Sequence, residues 1–485
     1  MKRTFALTAL LAGLLAFAAC RAEPPGKPGF MATFSVHPGT TYQTITGFGA
    51  GFTAATEQIM AMITSPQDRA RAYDLLYGES GARLNIVRLT ISPSAKLIPS
   101  ATFVGYDWAH DDGTQAEWRA IQPILHPVPV PGKLNLRRAK PVLYAVPFTP
   151  PAQWKDNGKL VQGSLLPANY HAYAEYLVGF LAYYHSLGAD IDVLSVQNEP
   201  GVPAPWPSCI WTPAQMREFV KILAPMIHAR GLNTKVMLSE GTNWSGAWAH
   251  LKPALDDPQS SPLVDVLASH SYQLSASDPF ADPARSLFKQ AWEETHKPVW
   301  MSEMSLMQPA QNDDPTMTAA LKVARYIHLD MTEARASAWI YCFAIFVTIP
   351  PGMNHQLGSM GVLSPPDGAA NGALVIPKRL WAMANYSRFA RPGWKLMEIA
   401  GPNFANTGFV SPDGRSVAIV VVNPFSGPLT VHYDFGSAGI GSLKAYATTD
   451  SLDLGEITPP VAGPHGFTVT LGQRSVTTFT GALIP

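Results

Sequence analysis

Short apolar runs alternate with longer amphipathic segments through most of this chain. The apolar runs read as β-strands, and they are Ile45–Phe52, Leu84–Ile91, Pro141–Phe148, Asp192–Glu199, Lys235–Glu240, Val264–Tyr272, Pro298–Glu303 and Ser337–Ile345. Between most of them, apolar residues recur every three or four positions, as on one face of a helix, for example in Tyr170–Leu187, Pro213–Arg230 and Thr316–Ala334. Strands that alternate with helices predict a parallel sheet, and eight such units predict a closed (β/α)8 TIM barrel over residues 45–388.

The C-terminal part of the chain follows a different pattern. After Trp394, short runs rich in Val, Thr and aromatic residues are separated by Gly, Pro, Asn and Asp: Gly408–Val410, Ser416–Val422, Leu429–Tyr433, Leu443–Ala447, Gly466–Leu471 and Ser475–Thr480. This spacing predicts an antiparallel β-sandwich over residues 389–485. The alternating run Ala32–His37 is expected to join it, so residues 23–44 would form a Pro- and Gly-rich tether and the first strand of the side domain.

The N-terminus has the pattern of an export signal over residues 1–22. A basic start is followed by an apolar stretch from Phe5 to Phe17 and then by small residues. Two kinds of cleavage fit. Ala16-Phe-Ala18 matches ordinary signal cleavage, whereas Ala18-Ala-Cys20 resembles a lipoprotein signal in which Cys20 would carry lipid. Either way we expect an exported protein that is periplasmic, extracellular or lipid-anchored, with membrane contact only through Cys20.

Composition narrows the functional classes. Lys+Arg and Asp+Glu balance at 35 each, so no charge excess points to nucleic acid. The aromatic content, with 12 Trp and 16 Tyr, suits either a sugar-binding cleft or a large core. Cys209 and Cys342 could form one disulfide or stay as buried free thiols. The spacing of Cys, His and acidic residues matches no zinc or calcium motif, so we expect no metal and no cofactor.

Two predicted strands end in a glutamate. Glu199 ends the fourth strand of the barrel and Glu303 ends the seventh, which places them on opposite walls of its mouth. Cleavage of a glycosidic bond needs one carboxyl group to protonate the leaving oxygen and another to attack or stabilise the anomeric carbon. This pair is therefore the main candidate for catalysis. Glu240 ends the fifth strand in the same way, and it could support the pair, contact substrate or be purely structural.

Several motifs together resemble glycoside hydrolase family 30. They are Thr46-Gly-Phe-Gly49, Asn85-Ile-Val-Arg-Leu89, Ser195-Val-Gln-Asn-Glu-Pro200, Trp211-Thr-Pro213, Ser269-His-Ser-Tyr272, Val299-Trp-Met-Ser-Glu303, Ser387-Arg-Phe-Ala-Arg-Pro-Gly393 and Ser475-Val-Thr-Thr-Phe479. The resemblance implies a (β/α)8 barrel with a β-sandwich built from both termini. It also implies hydrolysis of β-linked sugars with retention of configuration.

The resemblance also implies roles for individual residues. Glu199 matches the general acid/base and Glu303 the nucleophile of that family. Asn198 would bond the sugar 2-hydroxyl, and Arg88 would keep the nucleophile ionised.

Further matches concern the walls of the site. His270 and Tyr272 match residues beside the nucleophile, and Trp339 resembles an aromatic floor for the sugar. Phe148 stands where many members have Trp, and Trp154 nearby could offer another stacking face.

The choice of substrate rests on the loops. The stretch 346–354 contains no Arg or Lys, which argues against capture of a glucuronic acid branch, and the loop Tyr106–Asp112 could wall the cleft. The barrel–sandwich junction and the C-terminal tail resemble the xylanase members of the family most, and this resemblance implies a β-xylan-type polysaccharide as the carbohydrate substrate. Glucosylceramidase, β-1,6-glucanase and exo-acting β-xylosidase or β-glucosidase activities stay open, as does endo versus exo action. A different class, a non-catalytic glycan-binding protein, would keep the same fold.

Overall fold

A computed structural model describes residues 31–52, 65–91, 116–126, 140–272, 280–306, 314–345, 361–363 and 374–484, together with positions 56, 60, 63 and 278. The export signal with Cys20, the loop Tyr106–Asp112 and the stretch 346–354 lie outside these residues. No helix among the described residues is both long and apolar enough to cross a membrane.

Eight parallel strands close into a barrel, as the sequence predicts. In chain order they are β2 (Gly47–Phe52), β3 (Ile86–Ile91), β4 (Val142–Pro147), β5 (Val193–Ser195), β6 (Lys235–Gly241), β7 (Val266–His270), β8 (Val299–Met304) and β9 (Ala336–Tyr341). Each predicted run overlaps one of these strands. Two short strands, β10 (Phe343–Ile345) and β11 (Gly361–Leu363), pair in parallel just after the barrel closes.

Amphipathic helices cover the outside of the barrel. The described ones are α1 (Pro66–Tyr77), α2 (Ala116–Leu125), α3 (Tyr170–Ser186), α4 (Pro213–Ala229), α5 (Trp244–Leu255), α6 (Arg285–Thr295), α7 (Met317–Glu333) and α8 (Lys378–Ser387). Their first turns are set locally. Thr212 caps α4 by accepting from the Gln215 amide while the Gln215 side chain bonds back to it, and Asn243 caps α5 by accepting from the Gly246 amide.

Side chains on the barrel strands alternate between the interior and the outer helical layer. On β7, Ala268 faces the interior and Leu267 packs outward. On β9, Ala338 and Ile340 face the interior and Trp339 packs outward. This period of two decides which residues near the strand ends can reach the barrel mouth.

Nine strands form the side domain. They are β1 (Met31–Thr44), β12 (Lys395–Ala400), β13 (Asn406–Val410), β14 (Ser416–Asn423), β15 (Leu429–Asp434), β16 (Gly439–Thr448), β17 (Gly455–Ile457), β18 (Gly466–Leu471) and β19 (Ser475–Ile484). Their order in the sheet is β17-β16-β19-β14-β13-β12-β1-β15-β18. The sequence did not predict β12 and β17.

The two ends of this sheet pack on each other as a sandwich. The rings of Tyr433 and Phe467, on β15 and β18, contact Phe479 of β19 at centroid distances of 6.2 and 5.2 Å. All pairings are antiparallel except that of β1 with β15, so the prediction of a purely antiparallel sandwich needs this correction. The exception arises because β1 enters from the N-terminus, far along the chain from β15. A parallel pair needs no tight hairpin between its members.

Candidate active site

The ends of the barrel strands bring most of the predicted site residues together. Arg88 lies on β3, His270 ends β7 and Glu303 lies on β8, while Asn198 and Glu199 follow β5. Each of these residues is at least nine-tenths buried. Together with Glu240 of β6, the charged residues form what we term the carboxylate cluster, which consists of Arg88, Glu199, Glu240, His270 and Glu303.

Irregular pairing aims two of the glutamates into the barrel. Met237 faces the interior, so simple alternation along β6 would turn Glu240 outward. The register between β6 and β7 shifts between Ser239 and Gly241, and Ser239 and Glu240 have φ of 101° and 55°. Ser239 instead bonds outward to Ala247 of α5. A β-bulge of this kind re-aims a side chain, here that of Glu240.

The same device operates on β8. Trp300 faces the interior, so alternation alone would turn Glu303 toward the helices. The register between β8 and β9 shifts between Met301 and Met304, and Glu303 points inward to Arg88. Both inward glutamates therefore depend on local departures from regular strand geometry.

Glu303 is held by a cation and a phenol. Arg88 Nη1 lies 2.8 Å from Glu303 Oε2, and the Tyr272 hydroxyl donates to Glu303 Oε1 at 2.9 Å. Burial raises the pKa of Tyr272, so it remains a donor across the physiological range. Arg88 also donates to Asn198 Oδ1 at 2.7 Å, which leaves the Asn198 amide nitrogen oriented as a donor.

Glu199 lies close to Glu303 on the other side of the site. Its backbone has φ of 47°, and its amide donates to the Glu240 carbonyl at 3.1 Å. His270 Nδ1 is 3.3 Å from Glu199 Oε1 and 3.9 Å from Glu303 Oε1. One ligand atom from each of these three residues lies within 4.8 Å of the others.

Glu240 is fully buried beneath the pair. The Tyr144 hydroxyl donates to its Oε1, and Arg88 and His270 approach the same oxygen at 3.8 and 3.7 Å. Burial opposes ionisation of Glu240, but the contact with His270 and the charge of Arg88 lower its pKa to about 2. The sequence left the role of Glu240 open, and the structure places it under the site with no exposed surface.

The surroundings of His270 favour its charged form, as those of Glu240 favour the carboxylate. Burial favours its neutral form, but the charge of Glu303 and contacts with Glu199 and Glu240 raise its pKa to about 9. We therefore expect an imidazolium at neutral pH.

Trp339 does not form a floor for the sugar, contrary to the prediction. It is fully buried on the outward face of β9, and its indole nitrogen donates to Asp330 of α7 at 3.0 Å. The reason is strand parity, because alternate residues of β9 point to opposite sides. Asp330 also binds Trp244, Ser271 and Arg285. We refer to these five buried residues as the Asp330 network.

The two other aromatic candidates differ in position. Phe148 packs against the barrel interior, and its ring lies 5.7 Å from the Arg88 guanidinium carbon, so it belongs to the site wall. Trp154 packs edge-on against Tyr173 and Tyr176 of α3, in the outer layer. The structure therefore does not bring Trp154 to the carboxylate cluster.

Sequence reasoning missed two residues that face the site. Tyr144 points into the barrel from β4. A tyrosine at an inward position of a predicted strand is the feature of the sequence that could have indicated it. Cys342 immediately follows β9, and burial and the charge of Glu303 raise the pKa of its thiol. Both Cys209 and Cys342 are buried free thiols, which decides between the two alternatives that the sequence left open.

The close grouping of Glu199, His270 and Glu303 resembles a metal-ligand set in spacing alone. Arg88 already supplies a positive charge to Glu303 at 2.8 Å. Glu199 and Glu303 have carboxyl oxygens within 4.8 Å of each other, and Glu303 is paired with a cation. Two carboxyl groups in this arrangement can divide proton transfer and nucleophilic attack between them.

Comparisons with known proteins point to the same chemistry. The model of O-Glycosyl hydrolase family 30 matches residues 133–348. "Glucuronoxylanase XynC" of Bacillus subtilis (strain 168) is 26% identical over 347 residues, covering 70% of this chain and 73% of that protein. "Putative glucosylceramidase 3" of Caenorhabditis elegans is 28% identical over 254 residues, covering 50% of this chain and 47% of that protein.

A solved structure shares the fold. The catalytic domain of GH30 xylanase C from Talaromyces cellulolyticus aligns with a TM-score of 0.73 and 22% sequence identity, and the alignment covers 93% of this chain and 100% of that chain. The segment matched by the family model contains both Glu199 and Glu303. Residues 133–348 match glycoside hydrolase family 30, and the chain is an O-glycosyl hydrolase that acts on carbohydrate.

Proposed function

We propose that this protein is a retaining β-glycosidase with Glu303 as nucleophile and Glu199 as general acid/base. The observation that carries this proposal is that one carboxyl oxygen of Glu199 lies within 4.8 Å of one carboxyl oxygen of Glu303. Retaining enzymes hold the two carboxyl groups about 5–5.5 Å apart, whereas inverting enzymes leave about 6.5–9.5 Å for a water molecule. The spacing here favours direct attack by a carboxylate.

The partners of Glu303 support its role as the nucleophile. Glu303 has Arg88 at 2.8 Å and the Tyr272 hydroxyl at 2.9 Å, which favour the ionised form that a nucleophile requires. Glu199 is paired with His270. Asn198 adjoins Glu199 in sequence, and its amide nitrogen is available to a sugar hydroxyl because Arg88 occupies the amide oxygen.

The reaction would proceed in two displacements. Glu303 attacks the anomeric carbon while Glu199 gives its proton to the leaving oxygen, which forms a glycosyl ester on Glu303. Glu199, now ionised, then takes a proton from water as the water attacks the same carbon and Glu303 leaves. The configuration is inverted twice and therefore retained.

For the substrate, we propose a β-xylan-type polysaccharide without recognition of a glucuronic acid branch. The similarity to a glucuronoxylanase over 70% of the chain supports a xylan backbone. The lack of Arg and Lys in residues 346–354 argues against binding of the acidic branch. Phe148 offers an aromatic wall beside the cluster for an apolar sugar face.

The N-terminal pattern leads us to propose that the N-terminal segment within residues 1–22 directs export, and that Cys20 is either lipidated or retained without lipid after cleavage at Ala18. The mass of the mature N-terminal peptide would separate these alternatives. A diacylglyceryl-modified Cys20 would show a lipoprotein, a start at Ala19 would show ordinary cleavage, and an intact Met1 would refute export.

The stereochemistry of the first product tests the mechanism. Proton NMR of a freshly started reaction on an aryl β-xyloside or xylo-oligosaccharide should show the β-anomer first. A 2-deoxy-2-fluoro-β-glycoside with a good leaving group should label the peptide that contains Glu303. An initial α-anomer, or a label on Glu240 instead, would overturn the assignment.

A panel of glycans tests the substrate. We expect similar rates on linear β-xylan and on glucuronoxylan of equal chain length, and slower turnover of β-1,6-glucan, glucosylceramide and aryl β-glucosides. A strong preference for any of the last three would replace xylan with that substrate. Binding to all glycans without release of products would favour the non-catalytic alternative.

A further inference from the structure

His270 stands between carboxylates on both sides of its ring. Nδ1 is 3.3 Å from Glu199 Oε1, and Nε2 is 3.7 Å from Glu240 Oε1. Nδ1 is also 3.9 Å from Glu303 Oε1. A neutral imidazole carries a proton on one nitrogen only, so one lone pair would face a carboxyl oxygen. The doubly protonated ring makes both contacts attractive.

The balance of buried charges gives a second reason. For the proposed mechanism to start, Glu199 must be protonated and Glu303 ionised. With Glu240 ionised, the carboxylate cluster then holds two negative charges, and Arg88 supplies one positive charge. A net buried charge is costly, so a protonated His270 makes the cluster neutral.

We propose that Glu240 is a positioning residue that holds His270 as a permanent imidazolium, which neutralises whichever of Glu199 and Glu303 is ionised. This inference rests on the proposed function and deepens it. It gives Glu240 a task at a distance from the sugar, and it explains why β6 adopts two positive-φ residues to turn that carboxylate inward.

The charges balance in each step of the reaction. When Glu303 becomes a neutral ester and Glu199 gives up its proton, one negative charge moves from Glu303 to Glu199. The two acceptor oxygens lie 3.9 and 3.3 Å from the same His270 nitrogen. The cluster is neutral before and after the step, so His270 neither gains nor loses a proton. The protein therefore has little to reorganise as the charge moves.

The groups around His270 fit this assignment. Arg88 on β3 and the carboxylates of Glu199, Glu240 and Glu303 are its charged neighbours, and the Tyr272 ring lies edge-on at 5.8 Å. Burial keeps the hydroxyls of Tyr144 and Tyr272 and the thiol of Cys342 uncharged by raising their pKa values. The Tyr144 hydroxyl donates to Glu240, as it should to an ionised carboxylate. The lowered pKa of Glu240 and the raised pKa of His270 both agree with an ionised carboxylate beside a protonated ring.

The substitution Glu240→Gln tests the inference through the pH dependence of kcat/KM. It keeps the shape of the side chain and removes one buried negative charge beside His270, so the His270 ring should release its proton at lower pH. We expect the alkaline limb of the profile to move down by about one pH unit or more, which is about a tenfold loss of kcat/KM on that limb.

Matched variants separate charge from shape. Tyr144→Phe removes a neutral partner of the same Glu240 oxygen, and its alkaline limb should stay within about 0.3 units of the parent protein. Glu240→Asp keeps the charge and should recover most of the shift. An unmoved limb in folded Glu240→Gln, or equal shifts in Glu240→Gln and Tyr144→Phe, would overturn the inference.

A direct measurement covers the case in which Glu240→Gln fails to fold. In the parent protein labelled with 15N-histidine, both ring nitrogens of His270 should keep imidazolium chemical shifts from pH 6 to pH 8, with His270→Asn used for assignment. A neutral ring at pH 7 would refute the proposal. Failure of the 2-fluoro sugar to label Glu303 would instead refute the proposed function, so the two failures are distinguishable.

Discussion

Two buried clusters of charged residues are neighbours along the chain but differ in their hydrogen bonding and in their ratio of acids to cations. The carboxylate cluster lies at the mouth of the barrel, and the Asp330 network lies between the barrel and its helices. They meet at the end of β7, where Ser271 of the network separates His270 from Tyr272. Both are at least nine-tenths buried, so burial alone does not distinguish a catalytic site from a structural one.

In the Asp330 network the charges of Asp330 and Arg285 balance, and both carboxylate oxygens of Asp330 accept hydrogen bonds. Asp330 Oδ1 accepts from Trp244, Ser271 and Arg285, at 3.1, 2.9 and 2.9 Å, and Oδ2 accepts from Trp339. One acid faces one closely paired guanidinium. Such an arrangement fixes the positions of α5, α6, α7 and β9 relative to the end of β7, and it leaves no polar atom of Asp330 for other chemistry.

The carboxylate cluster contains more acids than cations, and some of its buried polar atoms make no hydrogen bond. Three carboxyl groups share Arg88 and His270, and among the described residues Glu240 Oε2 and His270 Nε2 make no hydrogen bond within normal limits. Glu199 and Glu240 both have positive φ. Strain and incomplete pairing at a concave site are typical of catalysis, whereas full pairing is typical of a scaffold. The contrast predicts loss of activity from one cluster and loss of stability from the other.

The largest effect should follow from Glu303→Gln. This change removes the proposed nucleophile but keeps the size of the side chain, so we expect kcat on an aryl β-xyloside or β-xylan to fall by roughly 10⁴-fold or more. The thermal unfolding midpoint should change little, which would place the effect in the chemistry. A rate within tenfold of the parent protein would remove Glu303 from its role.

Asp330→Asn should act on stability. It leaves the buried Arg285 without its anionic partner, so we expect the free energy of unfolding to fall by about 3–5 kcal/mol, measured by urea denaturation. Asp256→Asn is the matched control, because Asp256 pairs with Lys252 on the exposed surface of α5 and should cost less than about 1 kcal/mol. Equal losses in the two variants would mean that the network is not a structural centre.

Arg88→Lys should reduce activity more than stability. Arg88 contacts Asn198 and Glu303 through two nitrogens of one planar group, a geometry that a single ammonium cannot reproduce. We expect kcat/KM to fall by about 100-fold, which corresponds to about 2.7 kcal/mol of transition-state stabilisation. Arg217→Lys serves as control, because the partly buried Arg217 pairs with Glu218 on the surface of α4. Unchanged kcat/KM in Arg88→Lys would show that charge alone suffices.

Trp339→Phe should have the smallest effect, and it tests whether Trp339 contacts the sugar. The variant loses one buried hydrogen bond to Asp330, so we expect a decrease in unfolding free energy of about 1–2 kcal/mol. KM for xylo-oligosaccharides should stay within about twofold, because the indole does not reach the sugar. A large rise in KM with unchanged stability would restore Trp339 as a sugar contact.

Periodicity and residue chemistry were sufficient for the fold class and for the approximate positions of the barrel strands, whereas β5 ends at Ser195, four residues before the predicted end at Glu199. Runs of apolar residues identified all eight barrel strands, because a strand buried on both faces can hardly be polar. The resemblance to glycoside hydrolase family 30 indicated Arg88, His270 and Tyr272, and regular alternation on β3 and β7 directs these side chains into the barrel mouth. In the side domain, β12 escaped prediction because its residues Lys395 and Glu398 interrupt the apolar pattern.

The sequence by itself determined the barrel, the resemblance to glycoside hydrolase family 30 and the glutamates at or just after the strand ends. Only the tertiary structure decided which way the side chains face. The bulges on β6 and β8 turn Glu240 and Glu303 inward against simple alternation, while regular alternation turns Trp339 outward to Asp330. A register shift of one residue reverses the face of a side chain and depends on the pairing of neighbouring strands. That pairing is a long-range property, so the run of residues along one strand does not contain it.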